Sequence, residues 1–246
     1  MSTFGFSILD EFLPSFDKFG SIEKQRIMFL RFYNMKVCCK EQFTSKELSY
    51  TKTENIFSIF RAKIYSLLPK KFNSSRIFKI DTYKTNIINN FIEKADKNIS
   101  YLKLNEKSNL DLAIKIIENF EGEDFKIFLN GEDVFHKFVG KKIKDLKSDR
   151  KVKILQDEIT IYPQGSSATK VYPYWKFLDK DNIQGITSHI NRAIKCIKSD
   201  ECRQVYLVYP RHENFDKHIS IKVKELDLGG DYTIKLIPYS LGSILK

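Results

Sequence analysis

The chain has 246 residues, long enough to bury a core as one large domain or two small ones. With 42% hydrophobic and 30% charged residues it has an ordinary soluble globular composition, and no apolar run reaches the roughly 20 residues a membrane-spanning helix needs. The net charge of +11 favours polyanionic partners.

The N-terminus, MSTFGFSILDEF, lacks the basic and continuous apolar regions of a signal peptide, so a cytoplasmic location with no membrane partner is the simplest expectation. Phe4, Phe6, Ile8, Phe12 and Phe16 are spaced too irregularly to distinguish helix from strand. Ile22 to Tyr33 reads as a helix. From Thr53, the positions Ile56, Phe57, Phe60, Ile64, Leu67 and Leu68 form one helical face that Pro69 ends. RIFKID at 76–81 suits a short strand, and Thr85 to Lys97 a helix. Between Arg61 and Lys84 seven basic residues face one acid, Asp81, with Tyr65, Phe72 and Phe78 interleaved. Lys70, Lys71, Arg76 and Lys79 within it are candidate phosphate contacts, as are Arg211 and His212 further on; a solvated lysine-rich surface, or for the last two a solvated loop, is the equal alternative.

Asn109 is a candidate N-cap for a helix with Leu110, Ala113, Ile114 and Ile117 inward. FKIFLNGEDVFHKFVGKKIKDL then gives an apolar approach and a helix burying Val134, Phe135, Phe138, Val139, Ile143 and Leu146. Strands are predicted at about 152–162, 170–177 and 204–209, with a helix over 183–198 that buries Ile183, Ile186, Ile190, Ala193, Ile194 and Ile197. QVYLVYP at 204–210 is apolar on both alternating faces, which suits a strand covered on both sides. Cys38, Cys39, Cys196 and Cys202 make no CxxC pair, and the four histidines show no zinc-helix spacing; reduced thiols and no structural zinc are expected.

The order DEITIY, YPYWKFL, a helix around His189 and VYLVYPRHENF resembles the nuclease half of the McrC family, the endonuclease subunit of McrBC restriction systems. LDLAIKII and the phenylalanine-rich helix after it extend the resemblance over about residues 109–246. It implies a restriction-endonuclease-like mixed sheet flanked by helices over 109–246. The helical stretches read over residues 1–108 make the N-terminal half of this α/β chain mainly helical. With no repeat and no Gly/Ser- or Pro-rich linker, the two halves are expected to form a single compact body. The first fifty residues do not display the β-rich N-terminal domain with which that family engages its partner. The resemblance also implies DNA and a McrB-like AAA+ GTPase as partners. In that family the motor hydrolyses GTP and McrC cuts, and this chain has no GxxxxGK[ST] loop of its own.

A nuclease of the PD-(D/E)xK class needs two carboxylates to hold Mg²⁺ and a lysine near the attacking water. Glu158 falls at the first acid of the family pattern, with Asp157 beside it as the alternative ligand. Tyr172 and Tyr174 fall at the second acid and the lysine, and His136 at the acid of the preceding helix. A phenol is a poor Mg²⁺ ligand at neutral pH and supplies no cation. Three accounts follow from these letters. The first is a nuclease-fold, DNA-binding subunit whose catalysis has decayed and which needs no cofactor. The second is an active Mg²⁺-dependent endonuclease whose residues have migrated, Lys170 or Lys176 giving the cation and Asp179 or Asp181 an acid. The third is an interaction module that does not bind nucleic acid.

Overall fold

The computed structural model describes residues 3–7, 10–13, 20–36, 43, 54–68, 82–95, 110–122, 124–147, 149–162, 167–179, 183–199, 201–222 and 232–241. The proposed strand at 76–81, the cap at Asn109, and Lys70, Lys71, Arg76 and Lys79 lie outside them. The chain forms a mixed α/β fold and separates into two compact units: 1–3, 17–39 and 129–246 make the first, and 4–16 and 40–128 the second.

The second unit holds helices α2 (Ile56–Leu67), α3 (Thr82–Ala95) and α4 (Leu110–Ile117) with a small sheet. Of the irregular N-terminal residues, Phe4 and Phe6 belong to strand β1 (Thr3–Phe6) and Phe12 to β2 (Phe12–Leu13), which join β3 (Phe120–Glu121) and β4 (Lys126–Asn130) in the order β2-β1-β4-β3. Two residues start α2: Asn55 accepts the Ser58 amide at 2.7 Å, and Asp10 accepts that of Ile56 at 3.0 Å. It stops at Leu68, extended at ψ 146°, because Pro69 disfavours a helical residue before it. The core of this unit is aromatic. Phe57 and Phe91 pack on Phe125 at 5.2 and 5.5 Å, and Phe60 meets Phe120 edge-on at 5.5 Å.

The first unit is built on a six-stranded sheet of order β5-β6-β7-β8-β10-β9. Its strands are β5 (Lys151–Ile154), β6 (Ile159–Tyr162), β7 (Thr169–Pro173), β8 (Gln204–Pro210), β9 (Ile219–Ile221) and β10 (Thr233–Tyr239). The three predicted strand regions do share one sheet, although 152–162 is a hairpin: Ile154 pairs with Ile159 and the Leu155 amide donates to the Glu158 carbonyl at 2.9 Å. β5, β6 and β7 run antiparallel, whereas β8 is parallel to both β7 and β10. Parallel neighbours need a crossover. Between β7 and β8 it is a short 3₁₀ turn, Ile183–Ile186, followed by α6 (Thr187–Lys198). Ile186, Ala193, Cys196 and Ile197 pack there with Val205, Leu207 and Tyr209, so the predicted helix lies on the sheet as expected.

On the opposite face lie α1 (Ile22–Lys36) and α5 (Gly131–Leu146). Phe138 of α5 meets Phe32 at 5.8 Å and Tyr239 at 5.8 Å, both edge-on. Asn130 caps α5 by accepting the Asp133 amide at 3.3 Å, and Glu132 and Asp133 favour its positive end. One expected core residue is not there: Leu146 is 74% exposed. Burial along the helix ends at Gly140, with Ile143 half-buried, so the last turn lies beyond the packed face.

Trp175 is a core plug. It packs against Phe32 at 5.8 Å and Phe135 at 5.5 Å, and its amide donates to Glu132 Oε2 at 3.0 Å. A β-carbon on Gly131 would lie 2.0 Å from its ring, so the first residue of α5 cannot carry a side chain. Gly→Ala inside a helix ordinarily stabilises it by up to about 1 kcal/mol. Here Gly131→Ala is expected to destabilise by roughly 1–3 kcal/mol, because the indole must move in a filled core. Urea unfolding followed by circular dichroism measures the sign.

Candidate functional site

Side chains alternate along a strand, so Lys170 and Tyr172 of β7 share one face. The antiparallel register pairs Ile159 with Val171, which sets Glu158 opposite Tyr172. The Glu158 carboxylate is consequently surrounded. Oε1 accepts from Lys170 Nζ at 2.5 Å and from Thr160 Oγ1 at 3.3 Å, and Oε2 accepts from the Tyr172 hydroxyl at 3.4 Å. The Lys170 and Glu158 side chains are only 12% and 15% exposed. Burial works against the Lys170 ammonium, but the hydrogen bond and charge of Glu158 outweigh it and leave its pKa raised. Glu201 stands 3.8 Å from the same nitrogen.

Helix α6 crosses this strip and offers one side chain per turn. Arg192 Nη2 donates to Asp157 Oδ2 at 2.5 Å while its guanidinium lies 4.3 Å above the Tyr172 ring. Both neighbouring acids, Asp157 and Glu158, are therefore paired to cations of the chain itself. His189 stacks flat on Tyr174, with 3.6 Å between ring centres, and its Nδ1 is 2.7 Å from the Tyr209 hydroxyl. Burial, helped by Lys176 and Arg192, holds the His189 imidazole down at about 4, so it is neutral at physiological pH. Burial likewise pushes the Tyr172, Tyr174 and Tyr209 phenols up, keeping all three protonated.

Of the remaining sequence candidates, His136 lies against the Glu158 backbone, whereas Lys176 and Arg211 are engaged elsewhere. Lys176 reaches away from the carboxylates and donates to the Gly185 carbonyl at 2.6 Å; of the two lysines weighed for the cation, Lys170 is the one at Glu158. His136 is buried on α5, where burial lowers its pKa against a hydrogen bond to the Glu158 backbone. Arg211 is exposed, its amide held by the Tyr239 carbonyl at 2.9 Å. His212 beside it is buried, with Nε2 2.8 Å from the Leu178 carbonyl and its ring on Phe177; it is neither solvated nor available to a phosphate.

Mg²⁺ favours several oxygen ligands in a near-octahedral shell, with anionic ones to offset its charge. The residues present do not fit it. Glu158 is engaged by Lys170, Asp157 by Arg192, and Tyr172, which the sequence resemblance sets at a second acid, is a protonated phenol. Among the described residues no group of three or more His, Cys, Asp or Glu side chains converges as a metal shell would.

No protein-family model and no curated protein sequence matches this chain. A solved structure does. A chain of the half-complex from a tetradecameric assembly of Thermococcus gammatolerans McrB AAA+ hexamers with bound McrC superposes with a TM-score of 0.57. The match covers 97% of this chain and 77% of that one at 9% identity, so it is a likeness of fold.

Sequence reasoning did not find Arg192 or the stack of Tyr174 on His189. Their signal was present: His189, Arg192 and Cys196 recur at helical spacing on the helix that crosses β7. What the sequence alone lacked was the sheet face to which those turns point.

Two outcomes are expected. Lys170→Met leaves a largely buried carboxylate without its cation and should destabilise the first unit by roughly 3 kcal/mol, most of it recovered in the Lys170→Met/Glu158→Gln double variant. A double-mutant cycle of urea midpoints measures the coupling. The second concerns pH. The folded pKa of His189 is depressed from 6.5 to about 4, so the unfolded chain binds the extra proton first. Stability should therefore fall as pH is lowered from 6.5 towards 4, and His189→Asn should flatten that slope in thermal melts across the range.

Proposed function

We propose that this chain is a McrC-like, nuclease-fold subunit of a DNA restriction or anti-phage defence system that acts beside a McrB-like AAA+ GTPase and has lost the metal chemistry of cleavage. The observation that carries the loss is the lysine in the carboxylate: Lys170 Nζ lies 2.5 Å from Glu158, where a nuclease would place its divalent cation. Tyr172 and Tyr174, which the resemblance sets at the second acid and the catalytic lysine, are committed to Glu158 and His189. The partner is supported by the fold likeness to an assembly of McrB hexamers with bound McrC, and by the order of motifs from DEITIY to VYLVYP. Binding to DNA is supported by the net charge of +11.

Loss of the second carboxylate and the catalytic cation should cost several powers of ten in rate, since metal placement and charge stabilisation supply most of phosphodiester catalysis. Methylated and unmethylated duplexes should stay uncut with Mg²⁺ or Mn²⁺, with or without a McrB-like partner and GTP, and Glu158→Ala should change nothing. Robust cleavage abolished by Glu158→Ala, and by Lys170→Ala as well, would establish instead an endonuclease with a migrated lysine. Duplex affinity should fall steeply with added salt, as phosphate contacts require; affinity indifferent to salt would remove DNA from the reading.

A further inference from the structure

Helix α6 and strand β8 also bring two thiols together, and neither is used by the carboxylate site. Cys196 lies in the last turn of α6 and Cys202 just ahead of β8, with five residues between them in the sequence. Their sulfurs are 2.6 Å apart, well inside ordinary non-bonded contact. Both sit in the core under the sheet face, 6% and 0% exposed. The pair is asymmetric. The hydrogen bond with Cys202 pulls the Cys196 thiol down to about 7 against its burial, while the same bond, and burial, push Cys202 up. The Tyr172 hydroxyl favours the Cys196 thiolate, and the Lys170 ammonium favours the thiolate of either sulfur.

We infer that Cys196 and Cys202 form a dithiol site which hydrogen peroxide converts to an intrachain disulfide. The Cys196 thiolate attacks a peroxide oxygen; the O–O bond breaks, leaving a sulfenic acid on Cys196 and a hydroxide that takes up the released proton as water. The Cys202 sulfur then attacks the Cys196 sulfur. The S–O bond breaks, and the sulfenic oxygen leaves with the Cys202 proton as a second water. Two thiols lose two electrons, and one peroxide is reduced to two waters. The bond ties the end of α6 to the entry of β8. It also alters the core cluster that Cys196 shares with Tyr172, so the oxidation state is felt at the ring beneath Arg192.

The test uses the full chain carrying Cys38→Ser and Cys39→Ser, so that only this pair can react. Treatment of the folded protein with peroxide should lower the intact mass by two hydrogens, block both thiols to alkylation and yield a peptide linked Cys196 to Cys202. It should raise the melting temperature by about 5 °C, reversed by dithiothreitol, because a short loop is closed in the unfolded chain. Cys202→Ser should stop the reaction at the Cys196 sulfenic acid, trapped by a cyclic 1,3-dione. Two results overturn the inference: both thiols alkylated as fast after peroxide as before, or Cys196 carried on to sulfinic acid with no linked peptide. Both are read on the protein with Cys202 intact, so a poorly folding Cys202→Ser does not affect them.

Discussion

The parallel pairing of β7 with β8 is the constraint on which the first unit depends. Tyr172 sits in register with Leu207 and Pro173 with Val208, and the Tyr174 amide continues the ladder to the Val208 carbonyl. Two parallel neighbours cannot be joined by a tight turn, so the chain must leave the sheet, cross it and return. α6 is that crossing, and its apolar stripe fixes which side chains look down on β7. His189 meets Tyr174, Arg192 meets Tyr172, and Cys196 reaches the level of Cys202. A hairpin between the same strands would reverse β8 and remove every one of these contacts. β8, with a parallel neighbour on each side, is buried along most of its length, as its unbroken apolar sequence requires.

A carboxylate in a largely covered position needs a counter-charge, and a protein can draw it from solution as a metal ion or from its own sequence. Here the second solution prevails. Lys170 costs only the ordering of one side chain, already packed along its strand, and neutralises Glu158 at hydrogen-bond distance. Asp157 is met by Arg192, whose planar face rests on Tyr172. Asp157, Arg192, Tyr172, Glu158, Lys170 and Glu201 thus form a chain in which each charge is adjacent to its opposite or to an aromatic face. Such an arrangement leaves little negative potential to attract a divalent cation.

The sheet was legible where the sequence pattern is strong and local. ITIY and QVYLVYP are apolar runs of strand length, the isoleucine stripe of α6 has helical spacing, and each forms the expected element. What failed depended on neighbours that periodicity does not name. Leu146 continues the helical stripe of α5, but the packed face ends one turn earlier. His212 follows an exposed arginine in a polar stretch, and only the fold shows that the chain turns it inward to Leu178 and Phe177. β1 is so short that Phe4 and Phe6 present no period to read. Lys170 and Lys176 could not be ranked from spacing, because β7 ends at Pro173 and Lys176 lies beyond the alternation that would have aligned it. The pairing of Glu158 with Lys170 is a fact of register, between residues twelve apart in the sequence.

The plug formed by Trp175 gives the protein a built-in optical probe. It is the chain's only tryptophan, enclosed by Phe32 and Phe135 and held at its amide by Glu132. Excited selectively at its red edge, its emission belongs to the first unit alone. A shift to longer wavelength reports water reaching the junction of α5 with the strip after β7. The second unit, built around phenylalanines, is silent in that channel and contributes only to far-ultraviolet dichroism. Comparing the two signals along one denaturation curve therefore separates the unfolding of the units without any label.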